Sequence, residues 1–334
     1  MPTQEELLKS LGEVMVPGVL RDLKKMNLIR ELKFADGKAS ITLTSAALSP
    51  GIQNWLKRKI NDVIRALDGV NEVDVSFVDG KPKEVNEIDR IIAVMSGKGG
   101  VGKSLVASLA AVALRRRGWE VGILDADITG PSIPKMFGIS ARPEGSESGI
   151  LPVSSRSGIE VMSINLLLPS EDEAVIWRGP LLSRAITQFW EDVVWGKLDC
   201  LVVDLPPGTA DASLTVLQTL PVSGVIIVFT PQDLTAMVVR KAISMAKTMD
   251  KPVLGVIENM SYLYVAEVDK RIELFGKSRG KEMAQAAGAP LLGQLPIDPE
   301  VAKLCDAGDI ERYNSDAFTA FSQALTKALP KAEK

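Results

Sequence analysis

The stretch that most restricts how this chain can fold is MSGKGGVGKSLVA, Met95 to Ala107. Its core is Gly97-Lys98-Gly99-Gly100-Val101-Gly102-Lys103-Ser104, which fits the pattern G-x-x-x-x-G-K-[ST] at every fixed position. An apolar run, IIAVM, precedes it, and SLVASLAAVALRRRG follows as a helix that Gly118 closes. Strand, glycine-rich loop and helix in that order make a phosphate cradle. Glycines let backbone N–H groups approach an anion without a Cβ in the way, and the helix start adds partial positive charge. The motif predicts that Lys103 reaches the β- and γ-phosphates of a nucleotide and that Ser104 ligates Mg²⁺.

The rest of the chain offers such a loop a sheet to sit on. From Ile91 onward, short apolar runs alternate with helical stretches: IIAVM, VGILDAD, IEVMSI, LDCLVVDLP, GVIIVFT, PVLGVIEN and PLLGQLP. Continuous runs between helices predict buried parallel strands in an α/β, doubly wound, mostly parallel sheet over residues 91–330. Residues 1–79 predict a small α/β domain ahead of it. QEELLKSLGEV reads as a helix, and LIRELKFADGKASITLTSA alternates about Asp36-Gly37 as a hairpin. A second helix places Ile52, Trp55, Ile60, Val63, Ile64 and Leu67 near one face and ends at Gly69, before the strand NEVDVSFV. Residues 80–90, polar with Pro and Gly, read as a linker.

Composition mainly excludes. A length of 334 residues accommodates two domains. The net charge of −3 gives no bulk reason to expect nucleic acid or an anionic membrane as a partner. The amphipathic N-terminus lacks the apolar core of a signal peptide, and no apolar run is long enough to span a bilayer, so a cytoplasmic location is expected. With two cysteines and no histidine, the commonest general base and nitrogen ligand are missing. Chemistry must come from carboxylates, lysines, hydroxyls and backbone groups.

Two acids suit a nucleotide site. Asp204 ends the strand-like LVVD before LPPGTAD, where the carboxylate that holds a Mg²⁺ shell is expected. Asp127 lies just beyond the run VGILD, where it could orient water against a γ-phosphate; Asp125 would hold the loop or the Mg²⁺ shell.

Lys98 is more than a cradle needs. The pattern K-G-G-x-G-K-[ST] resembles the deviant Walker A ATPases, the group of the nitrogenase iron protein and the division-site and partition ATPases. There the extra lysine contacts nucleotide phosphates across a dimer interface. The resemblance implies ATP held between two protomers, with Lys98 supplied in trans as a homodimer closes. It is closer still to the Mrp-type iron–sulfur cluster carrier proteins, through SGKGGVGKS, LDADITGPSIPKMFG, RGPLLSRAITQFWEDVVWGKLDCLVVDLPPGTAD, TPQDLTAMVVRKAI, VLGVIENMSY and LPIDPEVAKLCDAGD. Residues 5–79 resemble the iron–sulfur-assembly-type domain often fused ahead of this ATPase. The family implies ATP hydrolysis, assembly factors or apo-client proteins as partners, Asn259 reading the adenine edge, and the backbone around Pro296–Asp298 packing on the base.

The sequence departs from that family where a [4Fe–4S] cluster would bind. The expected Cys-x-x-Cys after ENMSY falls, by counting, on Val265 and Val268. The small domain's usual cysteine is missing from LTSAALSPGI. Cys200 sits inside an apolar strand and Cys305 on a predicted helix, both poor substitutes. A cluster therefore rests on family analogy alone. Two alternatives stay open: an ATP-gated adaptor that holds no cluster, and a partition- or division-type spatial regulator. Trp190 and Trp195 are expected on a helix that packs against the sheet, Arg115 to Arg117 at a helix C-terminus, and KALPKAEK as a solvated tail.

Overall fold

A computed structural model of the chain describes residues 2–128, 130–168, 179–209 and 211–331. Thr129, Arg178 and Ala210, within the stretches that carry the resemblance, lie outside the described residues, as do residues 332–334 of the tail. The chain divides into two units. One comprises Met1–Ile88, Ala141–Ser154 and Gln188–Leu198; the other comprises Asp89–Ser140, Ser155–Thr187 and Asp199–Lys334.

In the first unit, Thr3 starts the helix Gln4–Leu11 with a capping box: its hydroxyl accepts from Glu6 N–H while the Glu6 carboxylate accepts from Thr3 N–H. Such a cap is worth about 1 kcal/mol. Strands β1 (Ile29–Ala35) and β2 (Lys38–Thr44) pair antiparallel about Asp36 and Gly37. Both turn residues have positive φ, 50° and 76°, as the primed hairpin turns require. β2 pairs parallel with β3 (Glu72–Val78), and the helix Pro50–Arg65 makes the crossover. That helix buries Ile52, Leu56, Ile60 and Ile64. Trp55, expected on the same face, is 37% exposed. The buried stripe advances four residues at a time, and Trp55 stands about 100° round from Leu56.

Residues 80–88 of the expected linker hold more structure than their composition suggests. Pro82–Val85 forms a helical turn with Val85 fully buried, and Glu87–Ile88 pairs in parallel with Lys197–Leu198. Trp195 is not on a helix. The helix Gly179–Asp192 ends before it, and Trp195 is fully buried beside Arg21, whose Nη1 donates to the Trp195 carbonyl at 2.7 Å. Trp190 is half-buried.

The second unit turns all seven apolar runs into strands: β4 (Ile91–Ser96), β5 (Val121–Asp125), β6 (Glu160–Ser163), β7 (Cys200–Asp204), β8 (Gly224–Phe229), β9 (Val253–Glu258) and β10 (Leu291–Gln294). They lie in the order β10-β9-β8-β4-β7-β5-β6, every pair parallel. β4, β5, β7 and β8 are buried along their whole length. Each enclosed Val, Leu or Ile contributes about 1.5–3 kcal/mol. The helix Lys103–Arg115 is buried from Val106 through Leu114, so it is enclosed on all sides rather than along one stripe. The three arginines at its end are committed within the unit. Arg115 donates to the Ser157 and Trp119 carbonyls, Arg116 to those of Glu311 and Tyr313, and Arg117 to the Ser322 hydroxyl. No helix among the described residues is long and apolar enough to cross a membrane.

Candidate nucleotide-binding site

The topology brings the candidate residues to one edge. β4, β7 and β5 are neighbours, so the loop after β4 stands beside Asp204 at the end of β7 and Asp125 at the end of β5. Asp204 and Asp125 lie opposite each other in the register. The loop after β7 is tied down as well. Gly208 N–H donates to the Ser96 carbonyl at 3.1 Å, and the Ser213 hydroxyl to the Pro206 carbonyl at 3.0 Å.

Two glycines of the phosphate loop are required by what surrounds them. Gly102 has φ 75° and heads the helix, and an added Cβ would meet Asn259 Nδ2 at 2.2 Å. A Cβ on Gly97 would lie 2.4 Å from the Val238 carbonyl oxygen. The remaining loop residues stand on these two. Gly100 also has positive φ, Gly99 is open apart from Pro207, and the Val101 side chain is buried.

Lys103 is 5% exposed and its Nζ lies 2.6 Å from Asp204 Oδ1 and 3.9 Å from Asp127 Oδ2. A buried ammonium needs such partners, and phosphate oxygens would replace or join them. Burial pushes the Asp204 carboxyl above its ordinary value, while the Lys103 ammonium and the Ser104 hydroxyl pull the other way. Its second oxygen, Oδ2, is buried with no hydrogen bond of full geometry. A buried carboxylate beside a serine hydroxyl is a donor set for a hard divalent cation. Ser104 and Asp204 therefore fit Mg²⁺.

Asp125 is fully buried and holds the following turn. Its oxygens accept from the Asp127 and Ile133 N–H groups and the Ser163 hydroxyl, each at 3.2 Å. Burial first, and then the Asp204 charge, push its carboxyl up to about 7. Asp127, 9% exposed, is left facing Lys103.

The other predicted residues take the following places. Lys98 donates from Nζ to Gln232 Oε1 at 2.6 Å. Asn259 is 1% exposed, and its Nδ2 donates to the Val101 carbonyl at 2.9 Å, so it buttresses the phosphate loop. Pro296 and Asp298 follow β10, the neighbour of β9, and line a groove of about 710 Å³ with Tyr262, Tyr264 and Arg271. Asp298 also caps the helix Pro299–Ala307 and accepts from the Tyr313 hydroxyl at 2.8 Å. Sequence reasoning missed Gln232 and Glu258. Both stood inside quoted stretches, TPQD and ENMS, but nothing local marks Gln232 as the partner of Lys98 or Glu258 as a buried hub.

Among the described residues, the places expected to carry cluster thiols hold none. Val265 is partly buried and Val268 is 65% exposed, on the turn between the short strands Leu263–Val265 and Lys270–Ile272. Cys200 is fully buried in β7, and burial raises its thiol far above the ordinary range. Burial pushes Cys305 up to about 11. Thiolates bind iron, and neither cysteine is poised to supply one. No group of three or more His, Cys, Asp or Glu that could hold a metal ion occurs among the described residues.

Comparison with known proteins places the chain in a family. Residues 87–329 match the family described as NUBPL iron-transfer P-loop NTPase, and residues 4–76 match that described as iron-sulfur cluster assembly protein. The chain belongs to the NUBPL iron-transfer P-loop NTPase family. A curated relative from Aquifex aeolicus, named iron-sulfur cluster carrier protein, is 37% identical over 95% of each chain. A nucleotide-binding protein from Archaeoglobus fulgidus, solved in complex with ADP, is 45% identical, with a TM-score of 0.64 over 71% of this chain and 94% of that one. The septum site-determining protein MinD of Pyrococcus horikoshii shares the fold, at 18% identity and a TM-score of 0.50 over 72% of this chain and 96% of that one. The α/β P-loop architecture is therefore that of the family.

Proposed function

We propose that this chain is a Mg²⁺-dependent ATPase that works as a nucleotide-gated homodimer in iron–sulfur cluster transfer. The observation that carries this is the buried Lys103–Asp204–Asp127 constellation against a complete phosphate loop. Backbone N–H groups of Gly97 to Ser104 and the Lys103 ammonium bind the phosphates. The carboxylate of Asp204 and hydroxyl of Ser104 would hold Mg²⁺, which neutralises charge on the phosphates when bound. Asp127 orients the water that attacks the γ-phosphorus, and the products are ADP and phosphate. Lys98 leaves Gln232 and enters the partner's site on closure, where it meets charge developing on the γ-phosphoryl group. Asn259 and the backbone at Pro296 to Asp298 bind the base. Iron–sulfur assembly factors or apo-client proteins are the partners, and the cytoplasm is the compartment.

The family's cargo needs separate treatment. Val265, Val268 and the two shielded cysteines favour a second reading, in which the same ATP cycle gates an adaptor that holds no cluster itself. Arg115 to Arg117, the basic cluster a membrane- or nucleic-acid-bound regulator could use, donate to groups within this chain.

Phosphate release with and without Mg²⁺, together with sedimentation in the presence of a non-hydrolysable ATP analogue, tests the ATPase. Mg²⁺-dependent turnover and ATP-dependent dimers are expected; their absence overturns the proposal. Anaerobic reconstitution with iron and sulfide decides the cargo. A stable chromophore at about one cluster per dimer removes the adaptor reading, and no bound iron removes cluster carriage by this chain alone.

A further inference from the structure

Strand β9 runs into two buried polar residues that reach different places. Glu258 is fully buried and Asn259 is 1% exposed. Asn259 touches the phosphate loop through the Val101 carbonyl, and its backbone N–H is fixed to the Phe229 carbonyl at 2.8 Å. Its amide also fills the space beside Gly102. Glu258 reaches away from the loop. Its Oε2 accepts from the hydroxyls of Ser261 and Ser278, each at 2.6 Å, and from Gln294 Nε2 at 2.8 Å; its Oε1 accepts from Arg279 N–H at 2.7 Å.

Ser261 and Ser278 are the two ends of one surface segment. Between them stands the antiparallel pair Leu263–Val265 and Lys270–Ile272, with Tyr264, Val268 and Leu274 exposed. One buried carboxylate thus clamps both ends of that segment, and the next residue in the chain touches the phosphate loop.

We propose that Glu258 is a positioning residue that couples occupancy of the phosphate loop to the conformation of residues 261–279. The proposal rests on the reading of residues 97–104 as a nucleotide site. When phosphates draw the loop's N–H groups toward them, the Val101 carbonyl shifts, and Asn259 must shift or lose its bond. Asn259 is pinned at its own N–H, so the strain passes to the adjacent residue. A buried carboxylate with four donors has few alternative arrangements that leave no donor orphaned. A small shift therefore releases one end of the segment or re-seats both. The coupling is reciprocal: whatever grips residues 261–279 changes nucleotide affinity by the same factor.

Hydrogen–deuterium exchange on the full chain, with and without Mg²⁺ and the β,γ-imido analogue of ATP, tests this. We expect protection at residues 97–104 and a change of about fivefold or more in exchange at residues 261–279. Glu258→Gln keeps the side chain's size but sets an amide N–H₂ against hydroxyl and N–H donors; it should erase the distant response while residues 97–104 are still protected. Ser278→Ala opens one end of the clamp without altering the buried charge, and should weaken the response by part; it serves if Glu258→Gln does not fold. Protection at 97–104 with no response at 261–279 in the wild type overturns the coupling, as does a Ser278→Ala or Glu258→Gln protein that responds like the wild type. No protection at 97–104 overturns instead the nucleotide reading beneath it.

Discussion

The phosphate loop and the segment around Val265 and Val268 lie in the same unit and are built on opposite terms. In the first, every chemical group is fixed. Lys103 is held between two carboxylates, Asn259 backs the loop, and Gly97 and Gly102 admit no side chain. In the second, two short strands carry exposed apolar side chains, and the places where the family resemblance leads us to expect thiols hold valine. Burial and mutual bonding make the loop's chemistry inseparable from the fold. The segment's chemistry hangs on two side chains, of which Val268 is exposed and Val265 partly buried. The loop is thus held by the fold at every turn, and the segment is not.

Placing thiols in the segment puts that contrast to its strongest test. If the wild-type chain takes up no iron on anaerobic reconstitution, Val265→Cys with Val268→Cys should enable it to bind about one cluster per dimer, read by absorption and iron analysis. A double variant as empty as the wild type would mean that more than two thiols separates this segment from a cluster site. On the loop side, Lys103→Ala should lower ATP turnover by about 100- to 1000-fold, as loss of a preorganised charge-stabilising group does; wild-type turnover would refute the site. Asp127→Asn should cost about 100-fold in kcat with little change in nucleotide affinity by titration, the signature of a group that acts on water rather than on binding. Lys98→Ala should lower turnover about tenfold and shift the ATP-dependent dimer to higher protein concentration by a similar factor; equal dimerisation and turnover would confine Lys98 to its bond with Gln232.

The smallest effect concerns Asp125. Its folded carboxyl is pushed up to about 7 from an ordinary 3.8, so between those values the folded chain binds a proton that the unfolded chain has released. Its contribution to stability therefore falls as pH rises from about 4 to about 7. Asp125→Asn cannot titrate and should flatten that part of the Tm–pH curve, even as it loses some of the turn's hydrogen bonds. An unchanged slope would place the pH dependence elsewhere.

Much of the fold could be read from local pattern. All seven apolar runs after residue 90 became parallel strands, because a strand buried on both faces has no polar side to confuse its reading. The phosphate loop was legible because its glycines and lysine answer to an anion, which is a local constraint. What escaped was tertiary. Trp55 fell outside a stripe whose edge depends on the partner surface, and Trp195 lay past a helix end that no Gly or Pro announced. Nothing in the linear order shows that Ala141–Ser154 and Gln188–Leu198 join the first unit. Gln232 and Glu258 matter through atoms brought to them from far along the chain.

The position of β4 carries one more consequence. It is the first strand of its unit in the chain and the central one in space, flanked by β7 and β8. Both neighbours lie more than a hundred residues downstream, at Cys200–Asp204 and Gly224–Phe229. During synthesis the glycine-rich motif emerges long before either strand that seats it. A nascent chain that stops short of Asp204 holds the signature of nucleotide binding without the capacity for it. Closure of so long a loop is slow, and until then β4 offers two unpaired apolar edges to any other chain nearby. This protein's interval of greatest exposure to aggregation is therefore set by the distance between Ser96 and Phe229, not by its length.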